Sequence, residues 1–139
     1  MAYWLFKSEP EVFGWDDLVA KGLAGEEWDG VRNYQARNFM RDMCVGDLGF
    51  FYHSQKEKQI VGIAKVVTAA HPDSTTDDPR WECVDIAAVA AVNRPVTLAQ
   101  VKSTPELSHM ALAQSPRLSV QPVSDNEWRI ICQMADTKT

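Results

Sequence analysis

Two apolar runs separated by a short polar segment place the strongest constraint on how this 139-residue chain folds. Leu48–His53 and Gln59–Val67 have the length and composition of strands, and the segment between them, SQKEK, is polar. A link this short joins neighbouring antiparallel strands, so the pattern predicts a β-hairpin. Gly62, within the second run, predicts a bulge or the close approach of another group.

Further strands are predicted on both sides of this hairpin. Tyr3–Phe6 is an aromatic and apolar run that reaches Lys7 and Ser8, and strand alternation puts successive side chains on opposite faces. Trp81–Val92 predicts a long strand closed by Pro95, and Leu118–Val123 predicts an edge strand because it contains a proline. The polar segment His71–Arg80 is predicted to be a surface loop.

Helices are predicted from their end signals. Trp15–Lys21 has early aspartates and is followed by a glycine, and Asn33 is a candidate N-cap for a second helix. Thr97 with Gln100, and Ser124 with Glu127, are capping boxes for two more. The inward positions of the second helix are predicted to be Tyr34, Phe39, Met40 and Met43.

The order of these elements predicts an α+β fold in one domain spanning residues 1–139. Strands and helices do not alternate regularly, which favours a small, mostly antiparallel and partly closed barrel with peripheral helices. The chain is 45% hydrophobic and long enough for one packed core. Trp4, Trp81 and Trp128 are assigned to that core, and the C-terminal tail is expected to be frayed.

Composition narrows the classes of function. A net charge of −5 argues against a protein that coats nucleic acid nonspecifically, because such binding needs many lysine and arginine contacts to phosphates. The three cysteines are far apart and form no C-x-x-C pair, so we expect no zinc site and no disulfide framework. No apolar stretch has membrane length, and we expect a cytoplasmic protein without a metal, a cofactor or a membrane contact.

The stretch WDGVRNYQARN, residues 28–38, is the strongest functional candidate. Trp28 follows a loop and precedes an Asp-Gly turn, where an indole ring can act as a stacking platform for a base. A tryptophan there can equally fill the core, and the residues leave both readings open. Arg32 and Arg37 lie beside a helix N-terminus and suit phosphates, although a solvated, ion-paired face is the alternative.

Polar pairs at other junctions complete the set of candidate site residues. Lys7 and Ser8 follow the first strand, His53 and Ser54 end the third element, and Arg117 and Ser119 precede the edge strand. The sequence contains no catalytic or phosphate-loop motif, which favours a binding function over catalysis. His53 has no acidic neighbour in the sequence, and nothing marks it as a general base.

Six segments taken together resemble the EVE domain, a relative of the PUA and YTH folds. They are YWLFKSEP (residues 3–10), WDGVRNYQARN (28–38), GDLGFFYHS (46–54), VGIAKV (61–66), PVTL (95–98) and RLSVQPV (117–123). The resemblance implies a PUA-like pseudo-barrel whose pocket accepts a modified base. The sequence departs from the expected family pattern after Ser54, where it has QKEKQ in place of a shorter turn that carries asparagine.

The resemblance also implies a set of pocket residues. They are Lys7, Ser8, Trp28, Asn33, Tyr34, His53, Ser54, Arg117 and Ser119. Arg32 and Arg37 are added as phosphate-binding residues from their own position beside the helix N-terminus. The leading hypothesis is a non-catalytic module that recognises a modified base, either modified cytosine in DNA or a modified RNA base, within nucleic acid. The alternatives are a nucleoside or small-molecule binder, a small enzyme that uses the same pocket, and a purely structural domain. The oligomeric state is left open.

Overall fold

One six-stranded sheet organises the fold, which the computed structural model describes for residues 1–139. Its strands are β1 (Tyr3–Ser8), β2 (Glu26–Glu27), β3 (Leu48–His53), β4 (Gln59–Pro72), β5 (Glu82–Thr97) and β6 (Val120–Val123), in the order β2-β5-β4-β3-β1-β6. The β1–β3 pair is parallel and the other pairs are antiparallel. The edge strands β2 and β6 do not pair with each other, so the sheet is not closed into a complete barrel. The predicted α+β fold, a mostly antiparallel pseudo-barrel with peripheral helices, is confirmed.

Five α-helices surround the sheet. They are α1 (Trp15–Ala20), α2 (Tyr34–Asp42), α3 (Leu98–Ser103), α4 (Ala111–Gln114) and α5 (Asp125–Met134). The predicted caps are confirmed: Asn33 accepts from the amide N–H of Ala36, and both capping boxes form, at Thr97 and at Ser124. No helix is both long and apolar enough to cross a bilayer.

The predicted hairpin of β3 and β4 is confirmed, but β4 and β5 are longer than predicted. β4 continues to Pro72, so the first residues of the predicted loop His71–Arg80 are in the sheet. β5 continues through Pro95 to Thr97. The proline is tolerated because Pro95 lies in an irregular stretch of the pairing, where Gly62 is opposite Ala91 but Ile60 is opposite Val96.

The core has two layers, one on each face of the sheet. Leu5, Phe50 and Trp128 belong to one layer, while Trp4, Phe6 and Phe51 belong to the other. The predicted alternation along β1 is therefore confirmed, as is the burial of Trp4 and Trp128. The tail is not frayed: the Trp128 indole N–H donates to the Thr139 hydroxyl at 3.0 Å.

Trp81 and Tyr34 are not core residues, and this part of the prediction is wrong. Tyr34 is 49% exposed, and its ring stacks on that of Trp81 with centroids 4.9 Å apart. The Arg32 and Arg37 guanidinium carbons lie 5.3 and 6.0 Å from the centre of the Trp81 ring. The apolar surface that helical spacing assigned to the interior is instead covered by a neighbouring ring and by cations.

Gly62 allows a close approach, as its position in the strand predicted. A Cβ atom at this residue would lie 2.4 Å from the Trp15 ring. We expect Gly62→Ala to lower the free energy of unfolding by about 1–3 kcal/mol, because the ring has to move within a packed layer. Denaturant unfolding measures this, and adding Trp15→Leu should recover part of the loss; simple additivity of the two changes would contradict the steric explanation.

Candidate functional site

A cavity of about 640 Å³ lies between the two edges of the open sheet. On one side, β2 and the following turn supply Glu27, Trp28 and Asp29, and on the other side the end of β1 and the residue before β6 supply Lys7, Ser8 and Ser119. β1 pairs with β6, and the Lys7 amide N–H donates to the Ser119 carbonyl at 2.9 Å. The incomplete closure of the barrel thus creates the cavity.

Trp28 lines this cavity and is held from behind by aromatic packing. Its side chain is buried at 9% exposure, and its amide N–H donates to the carbonyl of Val84 in β5 at 2.8 Å. The rings of Phe6, Phe13 and Phe51 meet it edge to face, with centroids 5.7, 6.1 and 5.8 Å away. No protein ring stacks parallel to it, unlike Trp128, which is stacked with Tyr3 and with Phe50.

The indole N–H of Trp28 is a free donor. The corresponding groups of Trp4 and Trp128 donate to Asp47 and Thr139, whereas that of Trp28 donates to no protein atom. The only fully buried side-chain polar atom without a partner is Oε1 of Gln121, so the Trp28 N–H is reached by solvent. Trp28 thus combines a place in the cavity wall with an N–H that no protein group uses.

The carboxyl groups of the cavity differ in their partners. Glu9 pairs with Gln55, Glu26 with Lys21 and Glu27 with Ser74, but Asp29 receives no N–H or O–H donor except through a proton shared with Glu27. Burial, reinforced by the nearby charges of Asp73 and Glu27, raises the pKa of Asp29. Asp29 is the acidic group best placed to gain from a donor on a ligand.

Asp73 fixes the turn that follows Trp28. It is 3% exposed and accepts from the Gly30 amide at 2.9 Å, the Arg32 guanidinium at 3.0 Å and the Thr75 amide at 2.8 Å. Burial alone would raise the pKa of Asp73, but these hydrogen bonds outweigh it and lower the pKa to about 2. Arg32, which also lines the cavity, is oriented by this carboxylate.

Five of the predicted residues come together at this cavity: Lys7, Ser8, Trp28, Arg32 and Ser119. Ser8 already donates its hydroxyl proton to the Phe13 carbonyl, which leaves its oxygen as an acceptor. Lys7 donates to the Pro116 carbonyl at 3.0 Å, and burial lowers the pKa of its ammonium group.

His53 and Ser54 lie outside the Trp28 cavity. His53 is buried; its Nε2 accepts from the Trp15 amide at 3.0 Å and its Nδ1 lies 3.0 Å from the Glu57 carboxylate. Both ring nitrogens are therefore engaged. The acidic partner, Glu57, lies four residues further along the chain, and the sequence analysis did not identify it. This hydrogen bond lowers the pKa of Glu57. Ser54 lines a second cavity, described below.

The remaining candidates lie on the outer surface. Asn33 caps α2, and Tyr34 is in the stack with Trp81. Arg37 donates to Asn38 and to the Arg80 carbonyl, and has no carboxylate partner. Arg117 is exposed and forms no ion pair. The structure thus places Arg32 and Arg37 on one aromatic surface beside the cavity.

Some lining residues were missed by sequence reasoning. Glu27, Asp29 and Phe13 line the cavity, and Asp73 supports it. Asp29 had a local signal, since it adjoins Trp28 in the turn. Asp73 had no signal of a role in the cavity, because the two partners that connect it to the turn after Trp28, Gly30 and Arg32, are more than forty residues away in the chain.

One cluster has the residue types of a metal site. The donor atoms of Glu27, His71 and Cys83 lie within 4.8 Å of one another. His71, however, contacts two acceptors, the Pro72 carbonyl at 2.9 Å and the Asp85 carboxylate at 2.8 Å. Burial alone would lower the pKa of His71, but its hydrogen bond to Asp85 outweighs burial and raises that pKa. Burial raises the pKa of the Cys83 thiol to about 12. Both nitrogens of the His71 ring face oxygen acceptors, so the cluster as it stands is a hydrogen-bonded group beside a buried thiol.

Comparison with known proteins supports a close relationship to one family. The structure superposes on a protein from Agrobacterium tumefaciens with a TM-score of 0.97 and 52% identity, over 99% of this chain and 94% of that chain. Human THYN1, solved in complex with DNA containing 5-methylcytosine, gives a TM-score of 0.90 and 36% identity, with full coverage of both chains. Mouse thymocyte nuclear protein 1 is 38% identical over an alignment of 168 positions, gaps included, which covers 98% of this chain and 74% of the mouse protein.

A more distant likeness concerns the fold alone. The YTH domain of a Zygosaccharomyces rouxii protein gives a TM-score of 0.59 at 12% identity, over 99% of this chain and 89% of that domain. The sequence profile of the EVE domain matches residues 2–134, almost the whole chain. The chain therefore belongs to the EVE domain family.

Proposed function

We propose that this protein is a non-catalytic module that binds a modified base of nucleic acid in the Trp28 cavity. The observation that carries the proposal is the Trp28 ring itself, which lines a polar cavity without a parallel stacking partner and with its N–H free. A base stacked on such a ring gains roughly 1–3 kcal/mol. That human THYN1, a relative of the same fold, was solved with DNA containing 5-methylcytosine supports modified cytosine as the ligand.

Basic side chains on both sides of the cavity favour a nucleic acid over a free small molecule. Arg32 lines the cavity and joins the surface that carries Arg37 and Arg80. Lys7 lines it from the other side. A strand that crosses the cavity between these groups would have its phosphates neutralised while one base is turned inward, at a cost of a few kcal/mol for unstacking.

The edge of the bound base is read, in this proposal, by groups around Trp28. Asp29 accepts from an exocyclic amino group such as N4 of cytosine, and the hydroxyl oxygen of Ser8 is a further acceptor. This replaces the reader role predicted for His53, whose ring nitrogens are both engaged. The predicted cytoplasmic location stays a prediction.

Three single-stranded oligonucleotides that differ at one base test this function. We expect 5-methylcytosine to bind about fourfold or more tightly than cytosine, because the cavity buries one additional methyl group. Thymine keeps the methyl group but presents an oxygen to Asp29, and we expect it to bind at least tenfold more weakly than 5-methylcytosine. Fluorescence anisotropy measures all three. Equal affinities would contradict the proposal, and a free nucleoside that binds as tightly as the oligonucleotide would favour a small-molecule binder.

A further inference from the structure

We infer that a second, lysine-lined cavity binds a backbone phosphate of the strand whose modified base occupies the Trp28 cavity. This inference rests on the proposed function, and besides Lys7 it concerns three lysines, Lys56, Lys58 and Lys102, that neither the motifs nor the family resemblance assigned. The second cavity has a volume of about 1040 Å³. Lys7 lines both cavities, so a ligand group in one lies beside a ligand group in the other.

Four lysines from three parts of the fold line this second cavity. Lys7 comes from β1, Lys56 and Lys58 from the turn between β3 and β4, and Lys102 from α3. Tyr52, Leu98 and Leu112 form apolar parts of its wall. A lysine ammonium group is a point charge that suits a phosphate oxygen, and several around one concavity attract an anion more strongly than isolated surface lysines.

Three of these lysines lack a carboxylate partner. Lys58 and Lys102 form no ion pair, and Lys7 donates only to the neutral Pro116 carbonyl. Lys56 is 3.9 Å from Glu11, but both side chains are more than 80% exposed, so this pair contributes little. Partial burial lowers the pKa of Lys7, and an anion beside its ammonium group would offset this cost.

Two of the three carboxylates of the second cavity, Glu9 and Glu57, already have donors, while Glu11 is exposed and lies 3.9 Å from Lys56. Glu57 accepts from Gln59 at 3.2 Å and is bonded to His53, and Glu9 accepts from Gln55 at 3.3 Å. Their negative charge is thus shared with protein groups, whereas the charge on Lys58 and Lys102 is not. The local balance favours an anionic ligand although the whole chain carries a charge of −5.

The turn between β3 and β4 forms part of this cavity. In the segment QKEKQ, Gln55 and Lys58 have positive φ angles of 69° and 50°. The carbonyl of Lys58 accepts from the amide of Leu98 at 2.8 Å, which ties the turn to the start of α3 and holds Lys58 near Lys102. The unusual turn therefore positions a charge in this chain that a shorter turn would not supply.

A charge-neutralising pair of substitutions tests the inference. We expect Lys58→Gln with Lys102→Gln to weaken binding of a 5-methylcytosine oligonucleotide roughly tenfold at low salt. The dependence of log K on log salt should become shallower by about 0.7 for each lost phosphate contact. The ratio of affinities for methylated and unmethylated strands should stay as in the wild type, since the base cavity is intact. Lys138→Gln, on the C-terminal tail, makes the same kind of charge change and should alter neither quantity.

Neutral methylphosphonate linkages identify the phosphate. We expect one linkage next to the modified base to weaken wild-type binding but to have no further effect on the Lys58→Gln, Lys102→Gln variant. If every linkage has the same effect on both proteins, or if the variant keeps the wild-type salt dependence, the inference is wrong even though the methylated strand is preferred. If inorganic phosphate alone protects the wild type from thermal unfolding and does not compete with the oligonucleotide, the cavity binds a free anion and the inference is again wrong. If the wild type binds methylated and unmethylated strands equally tightly, the proposed function itself is wrong.

Discussion

Trp28→Ala is expected to lower the affinity for a 5-methylcytosine oligonucleotide between about fivefold and 150-fold. This range corresponds to the roughly 1–3 kcal/mol that stacking on an aromatic side chain contributes per base. The substitution also removes the free indole donor from the cavity. Isothermal titration measures the change, and a folded variant with unchanged affinity would exclude stacking on this ring.

The same substitution tests how Trp28 serves the fold. Its ring packs against Phe6, Phe13 and Phe51, and truncation of a buried aromatic residue typically costs about 3–5 kcal/mol of unfolding free energy. Binding must therefore be measured where the variant is folded, as shown by a denaturant curve.

Two further variants separate binding from stability. Trp28→Phe keeps an aromatic ring but loses the N–H, and we expect an intermediate affinity. Trp128→Phe trims a buried tryptophan in the opposite core layer and should weaken folding without changing affinity. A loss of affinity in Trp128→Phe equal to that in Trp28→Ala would mean that stability alone explains the result.

Local signals predicted the frame of the fold well. The hairpin, the Asn33 cap and the two capping boxes are each set by residues within a few positions of one another, so their patterns are readable from the chain. The ends of β4 and β5 were predicted less well because a strand continues as long as its partner offers hydrogen bonds. The sequence of one strand does not show where that ladder stops.

The candidate site was predictable in part for the same physical reason. Lys7 and Ser8 end β1, Trp28 follows β2 and Ser119 precedes β6, and these strand ends meet at the cavity. The roles of Tyr34 and Trp81 were missed because their 4.9 Å contact joins segments far apart in sequence, and helical spacing cannot distinguish a core from a stack on the surface. The engagement of His53 by the Trp15 amide is likewise a tertiary contact without a local signature.

Asp73→Ala is expected to lower the free energy of unfolding by about 2–4 kcal/mol, because it removes a buried carboxylate from several donors at once. The Gly30 amide and the Thr75 amide would lose their acceptor, and Arg32 would lose its ion pair. The turn after Trp28 would no longer be held, so affinity for a modified base should fall as well. Asp78→Ala, in the same loop but on an exposed pair with Arg80, is a matched control that should change stability much less.

The pH dependence of stability distinguishes the charge of Asp73 from its packing. Its pKa is about 2 in the folded protein against an ordinary value of 3.8, so the ionised carboxylate favours folding. The resulting stabilisation, about 2 kcal/mol, is fully present above pH 4 and is lost as the pH falls towards 2. Asp73→Asn keeps the shape but cannot ionise, so urea unfolding at a series of pH values should show a shallower acid limb than the wild type. If both proteins lose stability equally between pH 4 and pH 2, Asp73 acts through its shape, and other carboxylates govern the acid response. A shallower acid limb in Asp73→Asn, together with weaker binding of the base, would show that one buried charge maintains both the turn and the cavity.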